Sequence, residues 1–180
     1  GFASNQMDDP GRGFSFQAEG PLDMRLDPTQ GETGAQLLAR MNEREIADAI
    51  FELGEDPFSR RIARSIVARR GREGMETTAD LVAAVRAAYG TKAHASRMHP
   101  ATRTFMALRI LVNREMANLD RLLAILPEVL RPGGVAAIIS FHSGEDRRVK
   151  HAFMKGYREG VYARESRDPL VATEEEVKYN

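Results

Sequence analysis

Residues 131–151 read RPGGVAAIISFHSGEDRRVKH. After the Pro-Gly-Gly turn, the apolar run at 135–141 shows no period-2 alternation, the pattern of a strand covered on both faces of a sheet. A strand over 133–141 is therefore expected, followed by a short helix over 144–156. The run ends in Ser140, His142, Ser143, Glu145 and Asp146. In open α/β sheets the carboxyl edge that such residues would occupy is where ligands bind. One strand cannot satisfy its own backbone, so its partners are expected in sequence outside these residues or in another chain.

A second polar and aromatic stretch, GRGFSFQAEGPLDMRLD, lies at 11–27. The two stretches read as halves of one site divided by a helical insertion. Residues 1–31 are punctuated by Gly and Pro without helical period, which makes them an ordered loop region. From Thr33 onward the pattern turns helical. Ile46, Ile50 and Leu53 share a face in EREIADAIFEL, stopped by Gly54. Asp56 and Pro57 resemble an N-cap and first-turn pair before a helix bearing Phe58, Ile62 and Ile66. Thr77 or Thr78 caps a third helix ending at Gly90. Beyond the basic loop at 91–100, an apolar stripe of Phe105, Leu108, Val112, Leu119, Leu122 and Leu126 predicts one long helix. Pro127 should end or kink it. The charged tail from Arg164 reads as loop.

Composition narrows the class. With 180 residues, 42% of them hydrophobic, the chain can bury a core of its own. The 26 basic and 26 acidic residues cancel, so any polyanion site must come from local clustering. The absence of cysteine excludes disulfides and thiolate metal sites and fits a reducing compartment. No apolar run approaches the roughly 20 residues that span a bilayer, and no signal-peptide pattern opens the chain. The expectation is a cytoplasmic protein, or a piece of one, since GFASNQ opens without an initiator Met.

His142, Glu145 and Asp146 carry ligand-type side chains, which raises a metal-dependent hydrolase as an alternative. Their H-x-x-E-D spacing matches no metal motif with a mechanical basis, and acids in a first helical turn are favoured by the helix dipole alone. No metal is expected. Residues 58–72 hold Arg60, Arg61, Arg64, Arg69, Arg70 and Arg72 with no acid among them. A solvated helix face is the plain reading; phosphate contact by guanidinium groups is the functional one. A helical RNA-binding module without catalysis is thus a further alternative. In GRGFSF, the glycines flanking Arg12 allow close backbone approach, and Phe14 and Phe16 could stack on an extruded base or simply pack in a core.

Four stretches, GRGFSFQAEGPLDMRLD, FSRRIARSIV, HPATRTFMALRILVN and LRPGGVAAIISFHSGEDRRVK, occur in the order seen in one family and span 11–150. The chain closely resembles the bacterial small-subunit ribosomal RNA (cytosine-N4) methyltransferases, the RsmH/MraW family. The resemblance implies an α/β fold, a partial class I (Rossmann-like) methyltransferase sheet with an inserted all-helical lobe, this chain itself being mostly α. Residues 1–27 and 99–180 would belong to the catalytic domain, and 28–98 to the substrate-recognition lobe.

The implied cofactor is S-adenosylmethionine, and the acceptor is the N4 amine of a cytidine in small-subunit ribosomal RNA or an assembling small subunit. No membrane partner is implied, and a homodimer is left open. Gln6 matches a Gln that contacts the cofactor in the family. The Asp expected before Gly1, the Gly-rich cofactor loop and a basic strand after Asn180 lie outside the chain, so these residues alone should bind cofactor weakly. Gly144 stands where the family usually has Leu. Many amino-methyltransferases carry an Asp/Asn/Ser-Pro-Pro-aromatic motif where this chain has ASNQ, so Ser4 and His142 are the candidates for the group facing the amine. Phe14 and Phe16 are candidates for the base-stacking wall. Arg103, Arg109 and Asn113, on the polar side of the long helix, would line the same cleft. Ser140 and Phe141 sit at the strand end, and Arg60, Arg61 and Arg64 would meet RNA.

Overall fold

A computed structural model of the chain describes residues 9–91, 98–163, 170, 171 and 173. These residues form a 3-10 turn, Pro10–Arg12, and seven α-helices. They are α1 (Gly34–Arg40), α2 (Glu43–Gly54), α3 (Ser59–Arg70), α4 (Thr78–Tyr89), α5 (Thr102–Val112), α6 (Glu115–Val129) and α7 (Ser143–Arg158). Two compact units divide the chain, Gly1–Glu115 and Met116–Asn180.

In the first unit α2 packs on α3 and α5, and α3 packs on α4. Ile46 and Ile50 of α2, Ile62 and Ile66 of α3, Leu81 and Val85 of α4, and Phe105 and Leu108 of α5 meet in one buried core. The three- and four-residue spacing in each helix puts these side chains on one face. Three starts are fixed by reciprocal capping boxes, Thr33 with Gln36, Asn42 with Glu45 and Thr77 with Asp80, each satisfying two otherwise orphaned N–H groups. Gly54 lets α2 cross α5 closely, since a Cβ there would lie 2.6 Å from the Arg103 carbonyl oxygen.

Asp56 is not the N-cap of α3. The helix starts at Ser59 with Phe58 in the cap position and no side-chain cap. The fully buried Asp56 carboxylate instead accepts from the Phe58 N–H (2.9 Å) and the Tyr89 hydroxyl (2.9 Å). Burial, reinforced by the hydrogen bond to Asp56 and its charge, pushes the Tyr89 phenol up to about 12.

The expected long helix is broken. Residues 113 and 114 form a turn between α5 and α6, with Arg114 at φ +49°. The Arg109 carbonyl oxygen accepts from both the Asn113 backbone N–H (3.1 Å) and the Asn113 side-chain amide (2.8 Å), which closes the end of α5. Pro127, by contrast, does not end α6, which runs on to Val129.

In the second unit, among the described residues, the expected strand at 133–141 is not formed: 133 lies in a turn and the rest belong to no strand or helix. Its turn closes through the Gly134 N–H and the Arg131 carbonyl oxygen (2.8 Å). Val135, Ile139 and Phe141 are 72%, 79% and 82% exposed, and Leu122, Ile125 and Val129 of α6 are exposed as well. Helix α7 ends in a local lock, where the Val161 N–H donates to the Gly156 carbonyl oxygen (2.8 Å) and Tyr162 packs edge-on against Phe153. A Cβ at Gly156 would overlap the Tyr162 ring. Among the described residues no helix is long and apolar enough to cross a membrane.

The Thr104 hydroxyl is buried without a partner beside a cavity of about 10 Å³ that is otherwise lined by apolar side chains. An unpartnered buried hydroxyl costs about 1–3 kcal/mol, and Val has nearly the same shape. Thr104→Val should therefore leave the thermal midpoint unchanged or raise it by a few degrees. A fall of several degrees would mean that the hydroxyl has a partner in solution.

Candidate functional site

The loop at 9–27 is held by groups far away in sequence. Asp9 accepts from the Gly11 N–H (2.9 Å), and the turn ends on Gly13 at φ +68°. A side chain there would collide with the Pro21 carbonyl, so only glycine fits. The Leu22 N–H donates to the Glu76 carbonyl oxygen (2.8 Å), and the Thr78 N–H to that of Gly20 (2.9 Å). Arg12 donates to the carbonyl oxygens of Arg25 (3.0 Å) and Leu26 (2.9 Å). Asn113 donates to the Met24 carbonyl oxygen (2.8 Å) and accepts from the Leu26 N–H (2.7 Å).

Between these ties Met24 is fully buried at φ +63°, a conformation that costs a non-glycine residue of order 1–3 kcal/mol and persists only where its surroundings impose it. Arg25 clasps Asp23 at 2.7 and 2.9 Å, and its hydrogen bonds hold the Asp23 carboxyl below the usual range.

An aromatic cluster stands beside the loop. Phe16 stacks on His99, with ring centroids 4.4 Å apart at 7°, and meets the edge of Phe105. Arg86 Nη2 lies 3.2 Å from His99 Nε2, while the Ala101 N–H points at His99 Nδ1 (3.2 Å). A neutral imidazole has one lone pair, so it accepts from only one of these donors. Burial, with Arg86 beside it, pulls the His99 pKa below its ordinary value.

The expected site residues fall into distinct environments. Phe14 is a core residue with Arg12 5.8 Å from its ring centroid, whereas Phe16 is half-buried in the stack. Arg103 donates to the Glu55 carbonyl oxygen (2.7 Å), and Arg109 pairs with Glu115 at 2.8 Å. Asn113 spends its amide on the loop. Of the arginine run, Arg69 pairs with Glu73 and Asp80, and Arg70 caps α1 through the carbonyl oxygens of Leu38 and Met41. Arg60, Arg61, Arg64 and Arg72 point outward, Arg61 over Phe58 and Arg64 3.6 Å from Glu43. Ser4, Gln6, Lys92, His94 and Arg97 lie outside the described residues.

In the second unit Ser140 and Phe141 lead into His142, the N-cap of α7, whose Nδ1 faces the Glu145 N–H at 3.4 Å. Glu145 in turn accepts from the Phe141 N–H (2.9 Å). His142 Nε2 is buried without a hydrogen bond, 3.8 Å from the Glu145 carboxylate. A Cβ at Gly144 would press on the His142 ring at 3.2 Å, so glycine keeps that ring uncrowded. Helix capping thus accounts for His142 and Glu145, and no group of three or more His, Asp or Glu among the described residues could hold a metal ion.

Sequence reading missed the positioning roles of Arg12, Asp23, Arg25 and Arg86. The Gly-Arg-Gly triplet was the available signal for Arg12, because a cation between two turn glycines can reach carbonyl groups across the loop.

His99 supplies a pH test. Its folded pKa is depressed, whereas the unfolded chain takes up the proton near 6.5. Its contribution to stability is therefore complete above pH 6.5 and is lost as pH falls through the lower folded value. A ring titration by NMR should give a midpoint below 6.5, and Arg86→Gln should raise it part of the way, since burial is the larger cause. A midpoint above 6.5 would contradict the packing described.

Comparison with known proteins matches residues 1–180 to the MraW methylase family. Three proteins named Ribosomal RNA small subunit methyltransferase H are similar along the whole chain, at 51% identity in Prochlorococcus marinus, 49% in Acidobacterium capsulatum and 47% in Sorangium cellulosum. The chain spans 57%, 59% and 56% of their respective lengths. With the match continuous from the first residue to the last, the chain belongs to the MraW methylase family.

Proposed function

We propose that the protein to which this chain belongs is a cytoplasmic S-adenosylmethionine-dependent methyltransferase acting on the N4 amine of a cytidine in small-subunit ribosomal RNA. The observation that carries this reading is the unbroken similarity at about half identity to relatives named for methylation of that RNA. The unpaired apolar segment at 135–141 supports a class I sheet, because a strand of this pattern calls for neighbours on both edges. Those neighbours would come from the additional length the relatives have. In this reading 1–27 and 99–180 serve the catalytic domain and 28–98 the recognition lobe.

Methyl transfer needs an electrophilic methyl group, which S-adenosylmethionine supplies when bound. Within this chain Gln6 is the candidate contact to that cofactor. What this chain contributes is alignment of the acceptor base. The N4 lone pair is delocalised into the ring, so the site must favour the pyramidal amine, and holding the base in line supplies much of the rate.

His142 offers a donor for this task. Its Nδ1 faces the Glu145 N–H at 3.4 Å, and Nε2, 3.8 Å from the Glu145 carboxylate, is the ring nitrogen that would turn to an acceptor atom of the cytosine ring. Ser4 remains the candidate to accept an N4 hydrogen. Phe16 is the candidate stacking wall. Phe14, Arg103, Arg109, Asn113, Ser140 and Phe141 are candidate substrate contacts, and Arg60, Arg61 and Arg64 meet phosphates.

The test is methyl transfer by the full-length protein from radiolabelled S-adenosylmethionine to small-subunit ribosomal RNA or subunits, with the product nucleoside identified. N4-methylcytidine is expected, and His142→Ala should lower kcat by on the order of 10²-fold, as loss of a preorganised donor does. Replacing Arg60, Arg61 and Arg64 by Ala should flatten the salt dependence of RNA binding by roughly 0.7–0.9 log units per lost phosphate contact. A different modified base, or full activity in His142→Ala, would contradict the assignment.

A further inference from the structure

Charge is unevenly distributed among the helices. α2 carries Arg44 against Glu43, Glu45, Asp48 and Glu52, whereas α7 carries Arg147, Arg148, Lys150, Lys155 and Arg158 against Glu145 and Asp146. Both acids of α7 stand in its first turn, where they meet the positive end of the helix dipole. Past that turn every charged residue of the helix is cationic.

The helical period gathers these cations on one side. Arg147, Lys150, His151, Lys155 and Arg158 are all exposed and lie at i, i+3, i+4, i+8 and i+11, one continuous stripe. The stripe runs for about 16 Å at 1.5 Å per residue. Val149 and Gly156 on the opposite side are buried. Along the stripe His151, Met154, Lys155, Arg158 and Glu159 line an open groove. Tyr157 is 47% exposed.

From this geometry we infer that the outer face of α7 is a phosphate-contact surface for RNA, separate from the arginines of α3. The inference rests on the RNA-methylation reading for the identity of the polyanion. Local ion pairs compete with it, Lys150 with Asp146 at 2.8 Å and Lys155 with Glu159 at 3.9 Å among them, and Arg147 has a partner of its own. Both pairs are largely solvent-exposed, and such pairs contribute little and yield readily to a stronger anion. RNA fits better than a lipid surface, because a helix lying on a membrane inserts a broad apolar face. The apolar side of α7 is turned inward, and the exposed Tyr157 ring suits stacking on an unpaired base.

The experiment uses the full-length protein carrying Lys155→Gln and Arg158→Gln together. Affinity for a small-subunit ribosomal RNA fragment is measured over a range of salt concentrations. The slope of log K against log salt should become shallower by roughly 0.7–0.9 per lost contact, and Lys155→Arg with Arg158→Lys should restore it. Methyl transfer to a short cytidine-containing oligonucleotide is read in parallel. If the wild type methylates nothing but the slope still falls in the Gln variant, the methylation reading fails and the RNA surface stands. An unchanged slope in a variant with the wild-type thermal midpoint overturns the inference. So does loss of binding to phosphatidylserine vesicles with the RNA slope unaltered.

Discussion

Every buried or apolar stretch of backbone must find partners for its N–H and C=O groups, and the two units meet this constraint in opposite ways. In the first, the irregular loop around 18–26 enters the core without belonging to a sheet. Backbone bonds from Leu22 to Glu76, from Thr78 to Gly20 and from Gly34 to Asp23 replace the missing ladder, and Arg12 and Asn113 supply the rest. In the second, the apolar run at 135–141 pairs with no strand among the described residues, the Phe141 N–H turns to Glu145, and the largest side chains face solvent.

The ties on the loop bear on chemistry as well as stability. Met24 is kept in a left-handed conformation, and Asp23 and Arg25 neutralise each other beside it. A loop fixed at this many points presents its backbone in one geometry, the preorganisation that alignment-based catalysis requires. The arginines of α3 divide in the same spirit. Arg69 and Arg70 hold helices together, while Arg60, Arg61, Arg64 and Arg72 remain outside. The number of cations in a run therefore overstates the number available to a polyanion.

The helices were legible because their burial imposes a periodicity that the sequence displays, as Ile46 and Ile50 or Ile62 and Ile66 illustrate. The break at Asn113 was not, since the apolar period continues across it and only the loop that Asn113 grips, some ninety positions earlier, explains the turn. Asp56 resembled a cap from its neighbours, but its main partner, Tyr89, is 33 positions away. Phe14 and Phe16 show the same limit within the candidate site. Two aromatics a residue apart in an irregular loop carry no period, and nothing local separates the core ring from the one stacked on His99. The family motifs were legible at once from their order along the chain, although residues within them such as Phe14 and Asn113 serve packing.

Amide hydrogen exchange, compared between the 180-residue chain and the protein at the full length of its relatives, tests the backbone constraint most directly. The amides of Leu22, Met24, Gly34 and Ala35 should be protected in both forms, and those at 136–140 should exchange rapidly in the short chain and slowly in the long one. Equally rapid exchange at 136–140 in the full-length protein would contradict the assignment of that segment to the interior of a sheet.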